Sequence, residues 1–97
     1  MKKMELLYSS EVILEDSRTM KLDYRLTENF DGLEDTEPYY GVHITKYLEG
    51  LVECDEVCGI SYSKDSVVSM IKVLFQNEVT PISMIGIIDD LVTVGDY

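Results

Sequence analysis

Ser61-Tyr62-Ser63-Lys64-Asp65, continuing through Val67, Met70, Ile71, Leu74 and Phe75 to Asn77-Glu78-Val79-Thr80-Pro81-Ile82 and on to Leu91-Val92, is the stretch that decides the fold. Ser63 can accept a hydrogen bond from a backbone N–H of a first helical turn, and Asp65 complements the positive end of the helix dipole. The apolar residues then recur at three- and four-residue steps, which places them on one helical stripe. Val68 and Val73 widen that stripe, leaving Ser69, Lys72 and Gln76 as a narrow polar strip. The spacing predicts a helix over 63–77 covered on two sides. Thr80 as cap and Pro81 at the first helical position, where a missing N–H is harmless, start a second helix over 81–92. Met84, Ile85, Ile87, Ile88, Leu91 and Val92 form its apolar arc, against Ser83, Gly86, Asp89 and Asp90. Asp89 and Asp90 stand near the negative end of its dipole, where acids are locally unfavourable.

Outward from this pair, the preceding residues alternate with period two. Leu6, Tyr8, Ser10, Val12 and Leu14 alternate with Leu7, Ser9, Glu11 and Ile13, and Met20, Leu22, Tyr24 and Leu26 alternate with Lys21, Asp23, Arg25 and Thr27. The first pattern is that of a strand with unequal faces, the second that of a strand with one apolar and one charged face. A turn over Glu15–Thr19 would set Leu14 opposite Met20, Val12 opposite Leu22 and Tyr8 opposite Leu26. Tyr40, Val42, Ile44 and Leu48 form the apolar face of a third strand. Val52, Cys54, Cys58 and Ile60 do so for a fourth, with Glu56 interrupting it. A three-residue turn around Glu49-Gly50 pairs Val42 with Cys58 and gives the better apolar match; a two-residue turn pairs Val42 with Val57 and His43 with Glu56. Strands over 4–14, 20–27, 39–48 and 51–60 followed by two helices predict a single α+β domain, a four-stranded antiparallel meander with both C-terminal helices on one sheet face. Thr93 to Tyr97 read as a short tail.

The chain of 97 residues carries 19 acids and 8 bases, a net charge of −11. Such a field repels phosphate backbones and anionic lipids, so neither nucleic acid nor membrane is expected as a partner. No stretch approaches the roughly 18 apolar residues of a membrane span, and acids and serines interrupt any signal-peptide core, so the expected location is cytoplasmic. Cys54 and Cys58 would lie about 13 Å apart along a strand, too far for a disulfide, and read as small buried hydrophobes. From Glu28 to Glu37 the acids Asp31, Glu34, Asp35 and Glu37 form a loop closed by Pro38, but Gly32 directly follows Asp31, which breaks calcium-loop spacing.

His43 is the one histidine. A Cys-His dyad with Cys54 or Cys58 lacks the helix N-terminus or basic cluster that lowers a thiol pKa, and the spacing lacks Cys-x-x-Cys zinc geometry. No glycine-rich phosphate loop is present. No catalytic, cofactor or metal residue is therefore assigned.

Gly59-Ile60-Ser61-Tyr62-Ser63-Lys64, Asn77-Glu78-Val79-Thr80-Pro81-Ile82 and Tyr40-Gly41-Val42-His43-Ile44-Thr45-Lys46 together resemble a bacterial, clostridial-type family of small proteins carrying a domain of unknown function. The resemblance implies class and compartment and no mechanism; it leaves out the N-terminal hairpin and both cysteines. The expected function is a non-catalytic protein-interaction or regulatory module, open to a protein partner or to self-association. Glu34, Asp35, Glu37, Asp89 and Asp90 are its candidate polar contacts, and Val68, Val73 and Ile87 are apolar width beyond what a core needs. The alternative is a small ligand-binding or enzymatic domain with a pocket between sheet and helices near His43.

Overall fold

A computed structural model describes residues 2–30 and 37–94. Four strands, β1 (Lys2–Ile13), β2 (Thr19–Asn29), β3 (Tyr39–Leu48) and β4 (Leu51–Ser61), precede α1 (Lys64–Gln76) and α2 (Pro81–Val94). The strands form one antiparallel sheet in the order β1-β2-β3-β4. The expected α+β meander with two closing helices is therefore the observed architecture.

Both helix starts follow from their residues. Ser63 Oγ accepts the Ser66 N–H at 3.3 Å, and Pro81 is the first residue of α2. α1 stops where Glu78 takes a left-handed φ of 51° and the Val79 N–H turns back to the Leu74 carbonyl at 3.0 Å. α2 runs on to Val94, so Thr93 and Val94, expected in a tail, belong to the helix; the rest of that expectation, 95–97, lies outside the described residues.

One sheet face carries the core. Leu22, Tyr24 and Leu26 from β2 and Val42 and Ile44 from β3 pack against Val67, Met70, Ile71 and Leu74 from α1 and Met84 and Ile88 from α2, all buried. Tyr24 keeps its polar end satisfied by donating to the Val79 carbonyl at 3.0 Å. Its ring meets Phe75 edge-on, and Phe75 stacks on Tyr8 at 4.6 Å. Burial raises the Tyr24 phenol well above its ordinary pKa.

Three expectations of register are corrected. The first hairpin pairs Val12 with Met20 and Tyr8 with Tyr24, two residues away from the alignment expected from a five-residue turn. Glu15, Asp16 and Ser17 make a three-residue loop instead, with Ser17 at φ 69° and the Leu14 N–H bonded to the Arg18 carbonyl at 2.8 Å. A left-handed third residue suits such a loop to strand twist. The shift is even, so faces are kept as far as Tyr8. Beyond it, a bulge at Leu7 turns Leu7 toward the core and leaves Leu6, expected inside, half exposed.

The second hairpin has the two-residue turn. Glu49 and Gly50 both have positive φ, 49° and 82°, the geometry that matches the right-handed twist of the strands. Val42 therefore pairs with Val57 and His43 with Glu56, not Val42 with Cys58. Cys54 and Cys58 are consequently exposed rather than buried. Between Val57 and Ser61 the register shifts against Gly41, with Gly59 at φ 65°. This bulge returns Ile60 to the core side next to Val57.

Candidate functional site

The sheet face without helices carries the odd-numbered residues of β2 and β3, and they form a polar chain. Asp23, 3% exposed, accepts from Ser9 Oγ at 2.7 Å and from Arg25 Nη2 at 3.4 Å. Arg25 Nη1 reaches Thr45 Oγ1 at 3.4 Å, and Thr45 lies 3.4 Å from His43 Nδ1. Across the ladder from His43, Glu56 takes two contacts from Lys2 Nζ, at 2.7 and 2.8 Å, and one from Cys58 Sγ at 2.7 Å. Lys2 and Glu56 come from the two edge strands, so the sheet curls toward this face. Thr27 Oγ1 is buried here without a hydrogen-bond partner, beside Gly41.

The electrostatics of this face favour quiet groups. Burial lowers the His43 pKa below that of free imidazole, against the pull of Glu56. Burial acts to raise Glu56, but its bonds from Cys58 and Lys2 prevail and the net shift is downward. The hydrogen bond to Glu56 and partial burial push the Cys58 thiol up, which keeps it protonated and a poor nucleophile. Among the described residues, no group of three or more His, Cys, Asp or Glu converges as metal ligands do. The pocket expected between sheet and helices near His43 is not where His43 sits: its ring is on the face the helices leave open.

The other surface of interest surrounds α2. Met84 and Ile88 are its buried stripe, whereas Ile82 is 80%, Ile85 55% and Val92 44% exposed. Ile85 and Val92 were expected in the covered arc, and that expectation is corrected. The sheet and α1 cover a narrower sector of α2 than its apolar residues span. On one flank, a cleft of about 480 Å³ between the helices is lined by Val73, Val79, Ile87 and Leu91 together with the polar Asn77 and Glu78. On the other, a cleft of about 310 Å³ lies between α2 and β4, lined by Val57, Ile60, Ile85, Ile88, Asp89 and Val92.

The candidate residues named from the sequence divide between these places. Val73 and Ile87 meet in the interhelical cleft, while Val68 is half-buried against the core. Asp89 lines the β4 cleft and Asp90 is exposed beside it. Glu37 is exposed at the start of the segment leading into β3; Glu34 and Asp35 lie outside the described residues. Sequence reasoning missed Ile82. Its signal was the series Ile82, Ile85, Asp89 and Val92, a three-four-three spacing that marks a second stripe beside the buried one.

With this geometry described, comparison with known proteins adds one finding. The profile of a family of unknown function, DUF6514, matches residues 3–94. The chain belongs to the DUF6514 family. No curated protein and no solved structure matches it. The DUF6514 match takes in β1 and β2 as well as the C-terminal segments on which the resemblance rested, so the whole meander and both helices are one family unit. Among the described residues of this DUF6514 chain, no helix is long and apolar enough to cross a membrane.

Proposed function

We propose that the protein is a non-catalytic, cytoplasmic interaction module that docks a protein partner on the outward side of α2. One observation carries this reading: three large apolar side chains, Ile82, Ile85 and Val92, are 80%, 55% and 44% exposed on one helix, and two of them, Ile85 and Val92, line the cleft beside β4. Isolated surface apolars need no explanation, but a contiguous strip opening into a cleft is what protein-binding surfaces present. The polar chain on the opposite face supports a rival, a small-ligand domain using His43 and Glu56. Its groups bond mostly to one another, and its thiol is held protonated, so the α2 surface is preferred.

The test is affinity capture with the wild-type chain and with an Ile82→Ser/Ile85→Ser variant. A protein retained by the wild type and lost by the variant supports docking on α2. An identical set of captured proteins for both chains contradicts it.

A further inference from the structure

The strip on α2 has a chemistry of its own, and it points to one kind of occupant. At 100° per residue, Ile82, Ile85, Asp89 and Val92 fall within an arc of about 80° that runs about 15 Å along the helix. Such a seam is shaped for a second helix lying along it, with side chains spaced at three and four residues. Gly86 lies beside the seam and has open space around its Cα, so a partner backbone can approach closely at mid-helix. Next to the seam, the β4 cleft of about 310 Å³, floored by Val57, Ile60 and Ile88, has room for one large apolar side chain.

Charge selects among helices. The segment Pro81–Val94 contains no lysine, arginine or histidine, it places Asp89 within the seam, and the whole chain carries −11. A second copy would bring the same acids and the same net charge to the contact. Like charge disfavours a second copy of this chain at the contact and favours a helical segment with basic residues.

We infer that the outward seam of α2 and the adjoining β4 cleft bind a cationic amphipathic helix of another protein, apolar on the face that meets Ile82, Ile85 and Val92 and basic where it meets Asp89. The inference rests on the docking role proposed above and specifies its partner class.

Two synthetic helical peptides with the same leucine spacing, one with lysines and one with glutamates on the polar face, test it by calorimetric titration into the full chain. The expected result is binding of the lysine peptide alone, weakened by added salt, weakened at least about tenfold by Ile82→Ser/Ile85→Ser, and weakened also by Asp89→Asn. Denaturant midpoints of the variants verify that they remain folded. Equal binding of both peptides, still sensitive to the serine substitutions, overturns the cationic partner and leaves the docking surface standing. Binding of the lysine peptide that ignores the serine substitutions is nonspecific charge attraction and overturns both, as does absence of binding by either peptide. A dimer in sedimentation that the serine variant dissociates replaces the partner helix with a second copy.

Discussion

Gly41 sits where β2, β3 and the bulge of β4 crowd together: a Cβ there would collide with the Val57 carbonyl oxygen and lie 2.7 Å from Thr27 Oγ1. Gly41→Ala is therefore expected to lower stability by at least about 1–3 kcal/mol, the usual cost of overpacking, measured as a shift in denaturant midpoint. His43 offers a second residue-scale test. Burial holds its pKa below 6.5 while Glu56 opposes that shift, so Glu56→Gln should move the His43 titration further down when followed by NMR. Because the folded pKa is the lower one, the unfolded chain binds the proton first, and the His43 contribution to stability declines as pH falls below about 6.5. At this scale, the facing of β2 and of β3 was legible in the sequence because strict alternation of Met20 to Leu26 and of Tyr40 to Thr45 permits one buried set. The turn lengths were less legible: the left-handed position of the first turn falls on Ser17, and in the second Gly50 marks the turn but the left-handed residue before it is Glu49, in place of the Gly or Asn that would announce a two-residue turn. The exposure of Cys54 and Cys58 was hidden for the same reason, since it follows from the two-residue turn and the bulge at Gly59.

Among the elements, α2 is the informative one. Its apolar arc is broad, so periodicity alone could not say which sector the sheet and α1 would cover; the structure assigns Met84 and Ile88 to the core and leaves Ile82 and Ile85 outside. The consequence is measurable without any partner. Ile88→Ala should cost about 2–5 kcal/mol, as removal of a buried branched side chain does, whereas Ile82→Ser should stay within about 0.5 kcal/mol of wild type. Equal destabilisation by the two substitutions would show that the outward sector is core. α1 was more legible, because its cap, stripe and stop coincide. Ser63→Ala should remove its N-terminal bond from the Ser66 N–H and lower stability by about 1 kcal/mol, measured by denaturant unfolding.

For the whole molecule, the two faces of the sheet divide the work. One is sealed by helices around Tyr24, Met70 and Leu74; the other carries the polar chain from Ser9 to Glu56, tied across the sheet by Lys2. Removing the tie with Lys2→Ala should perturb the amide signals of β1 and β4 on the open face while leaving those of the α2 seam in place, as read by NMR. The central claim is that binding takes place on α2 and not on this polar face. The most direct measurement is chemical-shift mapping of the chain during titration with the cationic amphipathic peptide. The account predicts perturbations grouped at Val57 to Ile60 and at Ile82, Ile85, Asp89 and Val92. Perturbations grouped instead around Arg25, His43, Thr45 and Glu56 would contradict it.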